Sequence, residues 1–282
     1  MNWLAFSVIA LIGFSSYELL SRYLGVKSRD PQVFSGIYNL IAVLLVPFLL
    51  LIIPFKISHI PPMVIALTII AAFIYGMFGR YEYLAHKHVE ASTLSIIIKL
   101  ATVLSVLVSF FVLHESLTVA KVLGFIIILA ANFLVLGMPT KAMFTKEKGL
   151  IYAYILTLFL GIAWIFDKTL SPFYGIVFYS VIGFLAPAIS CLLFPPAPIN
   201  KIKQEFRLGS WKIVLLAFVN VVSYALYLKA LSMGDASNVI PIATSTSPVV
   251  ILLAALFLGE RKALPKKIFA GVLIVIAIYL MR

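Results

Sequence analysis

Of the 282 residues, 63% are apolar and only 11% are charged, which lies outside the range of soluble domains of this length and makes lipid the solvent for most of the chain. The net charge of +12 is scattered as Lys and Arg through short connections and forms no stripe, so it reads as a membrane-topology signal and excludes a nucleic-acid surface. Cys191 is the one cysteine, so neither an intrachain disulfide nor a cysteine-based metal site can form.

A hydrocarbon core about 30 Å thick takes roughly 20 apolar residues per helical crossing. The apolar runs between Pro, Gly and charge clusters predict ten helices, at 2–21, 31–53, 62–84, 90–113, 119–138, 149–169, 172–194, 210–232, 236–258 and 265–281. The first has the length of a signal peptide but neither a basic n-region nor a small-x-small cleavage site before Arg22, and is read as a retained helix. It carries Glu18 with Arg22 four residues on, a spacing that pairs on one helix face. A structural ion pair near the interface is one reading of Glu18 and a proton-coupling carboxylate is the other. Asn39 in the second helix is a candidate for a cavity wall. In the third, Tyr75, Phe78, Gly79 and Glu82 share a face.

Lys99 stands well inside the fourth helix, on one face with Ser92, Ser95 and Thr102. A lysine that only snorkels belongs near a helix end, so Lys99 is expected to face a polar cavity. The connection from Pro139 to Lys148 divides the chain into halves, 1–138 and 149–282, of five helices each. In the sixth helix Asp167 has Lys168 beside it, with the same two readings as Glu18, and Trp164 is a further candidate for the wall. Pro195 to Gly209 reads as a second polar connection. In the eighth, Asn220, Ser223, Tyr224 and Tyr227 share a face. Mid-span Tyr75 and Asn220 suit a solute, whereas Tyr81, Tyr83 and Tyr227, near span ends, read as an interfacial aromatic belt. The ninth presents Ser237, Ile240, Thr244 and Ser247, and Pro248 is expected to break its hydrogen-bond ladder and free backbone carbonyls.

Shifting the second half by 145 positions lays Glu90-Ala91-Ser92 on Asp235-Ala236-Ser237 and, 23 residues later, Leu113-x-Glu115 on Leu258-x-Glu260 without a gap. Lys99 falls on Thr244, and Tyr75 to Glu82 on Asn220 to Tyr227. Because five is odd, the two copies must have opposite orientations in the membrane, the inverted-repeat architecture of many secondary transporters. The ninth helix has Ala236-Ser237 leading into a polar span with Pro248, then Leu258-Gly259-Glu260-Arg261, Pro265 and Gly271, and the first copy repeats this more weakly in Ala91-Ser92, Glu115-Ser116-Leu117-Thr118 and Gly124. In these motifs the chain resembles the drug/metabolite transporter superfamily, and within it the ten-helix EamA-type permeases. The resemblance covers essentially the whole chain and implies export of a small solute. It is nearly silent on substrate, and the first copy departs from the pattern, with Lys99, Val103 and His114 where the second has Thr244, Pro248 and Gly259.

The loops after the odd-numbered helices hold most of the basic residues, from Arg22 and Lys27 to Lys266 and Lys267, while the other face has only Lys56, Lys121, Lys168, Lys229 and Arg282. The chain thus has a basic face and a sparse face. The charge rule puts the basic face in the cytoplasm and both termini outside; the resemblance implies the reverse. His86, His88, His114 and Glu115 lack metal-site geometry, and no nucleophile elbow, phosphate loop or HExxH helix is present. No cofactor or metal is expected. The Arg261-Lys262 and Lys266-Lys267 cluster reads as a topology signal.

The expectation is an all-α, polytopic membrane protein of ten helices in two inverted repeats, working by alternating access at a midplane site in the cell membrane. Its expected partners are lipid, a small polar solute and, as the candidate coupling ion, a proton. The solute site is assigned to Lys99, Thr244, Ser247, Ser95, Thr102, Tyr75, Asn220, Tyr224, Asn39 and Trp164, with Glu18, Glu82 and Asp167 as coupling carboxylates. An amino acid or another carboxylate- or phosphate-bearing metabolite fits Lys99. A proton-coupled exporter of cationic drugs would instead need one of the carboxylates unpaired. An intramembrane enzyme or a lipid-binding scaffold has no positive support.

Overall fold

In a computed structural model the chain is a helical bundle. The structure describes residues 2–25, 27–89, 91–136, 148–246, 249 and 264–281, and among them no β-strand occurs. Ser247, Pro248, Leu258 to Arg261 and Glu90 lie outside the described residues, as do the side chains of Arg22, Tyr83, His86, Ser92 and Ser95. The helices are α1 (Trp3–Gly25), α2 (Pro31–Leu45) with a 3-10 extension (Val46–Leu51), α3 (Pro62–His88), α4 (Ala91–Val112), α5 (Val119–Leu136), α6 (Lys148–Leu193), α7 (Ile199–Gly209), α8 (Trp211–Leu231), α9 (Ala236–Ala243) and α10 (Leu264–Leu280). Among the described residues five stretches are long and apolar enough to cross a membrane, and one of them, Gly149–Leu193 with 45 residues, has twice the length that a crossing needs. Shorter apolar helices lie at Ile97–Val112, Val119–Leu134 and Ile268–Leu280. The chain is thus an all-α, multi-pass membrane protein.

The two halves of the chain interleave. Helix α1 packs on α8, α3 on α6, α2 on both α6 and α8, α4 on α6 and α9, and α5 on α10. Without a hydrophobic drive between helices in lipid, contacts this close rest on small residues. Gly13 faces Ser223, and Gly76 and Gly79 face Ser190 and Pro187. The two repeat-related helices α4 and α9 meet at equivalent positions, for Lys99 and Thr244, 145 residues apart, share a hydrogen bond.

The expected boundaries change in four places. The second helix tightens to 3-10 at Val46 because Pro47 has no N–H for the ladder. Helix α6 runs through Pro172 and breaks at Gly175, not between 169 and 172; Gly175 has φ 69° and ψ 163°, a conformation that only glycine adopts without strain. There the Lys56 carbonyl occupies the place of a Cβ, and Ser58 N donates to Phe173 O at 2.9 Å. The polar connection from Pro195 contains a helix, α7. The ninth helix, expected to continue to 258, ends at Ala243, with Thr244 as its C-cap and Pro241 inside it.

Candidate functional site

The break after α9 is the first element of the site. A residue at 248 would donate its N–H to the carbonyl of Thr244 in an unbroken helix, and proline has none. In its place the Lys99 ammonium donates to Thr244 O at 2.8 Å and to Thr246 Oγ1 at 3.4 Å. Thr246 Oγ1 also donates to Glu18 Oε2 at 2.7 Å, so one hydroxyl bridges a carboxylate of α1 and an ammonium of α4. The hydroxyls of Thr102 and Thr244 lie 3.2 Å apart beside it. Lys99 is 7% exposed and Thr102 3%.

The second element is Asp167 of α6, 1% exposed. Its Oδ1 accepts from the Tyr75 hydroxyl of α3 and, at 2.6 Å, from that of Tyr224 of α8. Tyr179 extends the group, its hydroxyl 2.9 Å from that of Tyr75. Asp167 is not paired with Lys168, contrary to the ion-pair reading. Successive helix positions point about 100° apart, and the Lys168 ammonium turns the other way to donate to Leu231 O at 2.7 Å and Gly234 O at 2.6 Å, capping α8. No Lys or Arg is among the hydrogen-bond partners of Asp167 in the described residues. Tyr227 is not interfacial either: it is 1% exposed, and its hydroxyl has no hydrogen-bond partner among the described residues.

Both elements open on one cavity of about 260 Å³. Its wall includes every predicted site residue whose side chain is described: Lys99, Thr102, Thr244, Tyr75, Asn220, Tyr224, Asn39, Trp164, Glu18, Glu82 and Asp167. Asn39 donates to Ser35 O of its own helix at 2.9 Å, and Asn220 donates to the Tyr38 hydroxyl. Tyr17, Tyr38, Thr246, Phe184 and Pro187 line the cavity as well and were not legible as site residues. Thr246 is missed because helical spacing from Thr244 skips it, and that spacing fails where α9 ends. Tyr38 and Tyr179, each 2% exposed or less, look like core aromatics; the usable signal was that a tyrosine hydroxyl in lipid needs a partner.

Towards the sparse face the space beyond Asp167 is filled by the buried Leu170, Tyr174, Leu231, Val239 and Ala243. Contacts between the two halves of the chain close it further. Glu115, after α4, accepts from Ala236 N at 2.7 Å and Ser237 N at 2.8 Å, satisfying orphan donors at the start of α9. Lys121 of α5 pairs with Asp235 at 2.5 Å.

A solute-sized cavity of mixed polarity, walled by spans from both halves of a multi-pass bundle, is the architecture of a membrane transporter. The model of the EamA-like transporter family matches residues 1–137 and again residues 147–282, and the chain belongs to that family. No curated protein matches the sequence. One solved structure, described as "Crystal structure of protein", is similar in fold, with a TM-score of 0.70 at 16% identity over 96% of this chain and 95% of that one.

Proposed function

We propose that the protein is a secondary transporter of a small metabolite bearing both an amino and an acidic group, an amino acid or a near relative, and that it exports this solute across the cell membrane by alternating access. The observation that carries the reading is Asp167, buried at the cavity wall and solvated by tyrosine hydroxyls instead of a basic side chain. A carboxylate in that setting gains from an incoming ammonium group, which surrounding tyrosine faces also favour. Lys99, the one basic residue among the described lining residues, supplies the matching site for the acidic end. The contacts α1 on α8, α3 on α6 and α4 on α9 are those that a two-fold axis between halves 1–138 and 149–282 generates, which supports the inverted repeat. Orientation follows the charge rule, with the basic face in the cytoplasm.

A second reading, a cationic solute exchanged for protons, is favoured by the three carboxylates Glu18, Glu82 and Asp167 set against one lysine in the same wall. Thermal-shift measurements on the purified protein with amino acids, matching amines lacking the carboxylate and matching acids lacking the amine separate the two, because a bound ligand stabilises by mass action. Stabilisation by the amino acids beyond either half-molecule is the expected result. Stabilisation by amines alone establishes the second reading, and stabilisation by none of the three overturns both.

A further inference from the structure

The basic face carries a helix that no span accounts for. Helix α7 connects the end of α6 to the start of α8 on the same side of the bundle, so its 11 residues, about 16 Å long, run across that end of the bundle, against α2 and α8. With 100° per residue, Ile202, Glu205 and Gly209 form one face. Glu205 and Gly209 are buried and Ile202 packs against the cluster around α2. Beside that face stand Ile199 and Phe206, 68% and 50% exposed, and Phe194 and Trp211 flank the helix at 62% and 66%. Apolar side chains this exposed, gathered at the ends of two spans, match the lipid-facing edge of an interfacial helix.

Next around the helix come Lys203 and Arg207, one turn apart, and then Asn200 and Gln204. Together with Arg29 of the α1–α2 connection, Lys203 and Arg207 line a groove whose described wall contains no carboxylate. Neither acid of this corner, Asp30 or Glu205, lines the groove. Asp30 pairs with Lys201 at 2.7 Å, and its hydrogen bond holds that ammonium above the ordinary lysine value. Glu205 Oε1 accepts from Arg29 N at 2.9 Å and Asp30 N at 2.8 Å, fixing the connection against α7. Three cations thus stand immediately beside an exposed apolar edge.

We propose that α7 lies in the bilayer interface on its Ile199 and Phe206 edge and that Arg29, Lys203 and Arg207 hold the phosphate of an anionic phospholipid. Charge complementarity selects the lipid, and the neighbouring apolar edge selects a lipid over a free anion.

The test reconstitutes the full chain in nanodiscs of phosphatidylcholine and phosphatidylglycerol and counts, by native mass spectrometry, the phosphatidylglycerol retained after detergent extraction. The parent is expected to retain phosphatidylglycerol over phosphatidylcholine, and K203Q/R207Q to lower that preference roughly 25-fold, two cations at about fivefold each. K212Q/K266Q removes equal charge at described residues outside the groove and is expected to retain the lipid. Phe206→Ser keeps every charge and is expected to weaken retention by loosening the seat of the helix. No preference in the parent, or equal losses in the two double variants, overturns the site. Complete displacement of the lipid by millimolar inorganic phosphate would assign the groove to a free anion and overturn the lipid commitment. Thermal melting in detergent confirms that each variant is folded before lipids are counted.

Discussion

Replacing Lys99 by Met removes the ammonium and keeps the length of the side chain. The bond to Thr244 O at 2.8 Å is lost, at about 1.5–3 kcal/mol for a hydrogen bond to a charged group. Thr244 O receives no bond from the position four residues on, since Pro248 has no N–H. Against this, a lysine at the centre of a membrane helix costs about 2.5–3.5 kcal/mol on insertion scales, and methionine does not. The two effects nearly cancel, so the melting temperature of Lys99→Met should stay within about 4 °C of the parent. Binding behaves differently, because only the parent offers a counter-charge to the acidic end of the solute. The loss there is about 1.5–3 kcal/mol, or roughly 10- to 150-fold in Kd. Isothermal titration with the stabilising amino acid and with its carboxamide analogue measures it, the carboxamide being expected to change little. Lys99→Arg keeps the charge but is expected to impair transport, because a planar guanidinium needs a different geometry. A Lys99→Met protein that melts far below the parent yet binds acid and amide as before would make Lys99 a structural lysine and refute the anion site.

Asp167→Asn preserves shape and removes the charge that Tyr75 and Tyr224 solvate; amine-bearing solutes should weaken roughly 10- to 150-fold while acids without an amine keep their affinity in the same titration. Tyr227→Phe deletes a buried hydroxyl that has no partner among the described residues, so thermal stability should be unchanged or rise by about 1 kcal/mol in a melting experiment. Gly175→Ala forces a Cβ onto the Lys56 carbonyl at a positive φ, which should destabilise by about 1–3 kcal/mol, read as a lower melting temperature with solute affinity in the folded fraction intact.

Composition and run length made the bundle legible because lipid permits few alternatives for a spanning segment: every backbone group must be satisfied within it. The misplaced breaks were at Gly175 and after Ala243, where the outcome depends on what lies across the interface. Pro172 carries the stronger breaking signal in sequence, yet the chain reverses at the glycine because the Lys56 carbonyl needs the space. The polar face of α4 was readable because a lysine in lipid is costly wherever it points, but the donor-deficient carbonyl that receives it came from the other half of the chain. Asp167 stands out in the sequence as a charge at membrane depth, but its pairing with Lys168 does not follow, since adjacency in sequence means divergent directions on a helix. Helix α7 was hidden by its polarity: its apolar residues are few and confined to one side of the helix, whereas a spanning segment is apolar over its whole length.

The contacts on the sparse face set how firmly one side of the cavity is shut, and alternating access limits that firmness. A carrier must keep its two states within a few kcal/mol. Two bonds from Glu115 to Ala236 N and Ser237 N, at 2.7 and 2.8 Å, are each worth about 1.5–3 kcal/mol. The Lys121 to Asp235 pair, with the Asp235 side chain 49% exposed, adds only about 0–1 kcal/mol. Helix α9 has no capping side chain of its own, so its first donors depend on a carboxylate from the other half of the protein, and moving the halves apart exposes them to water. Glu115→Gln keeps one acceptor oxygen and turns the other position into a donor, which should weaken the closure by about 1.5–3 kcal/mol and raise the population open to the sparse face roughly 10- to 150-fold. Spin labels at Ser116→Cys and Ser232→Cys in a Cys191→Ser background, both exposed on that face, report the change as a longer-distance component in the variant. If the Glu115→Gln variant is folded and gives the same distance distribution as the parent, the carboxylate is a static helix cap, and the force that closes this face has to come from the packed Leu170, Leu231 and Val239 layer alone.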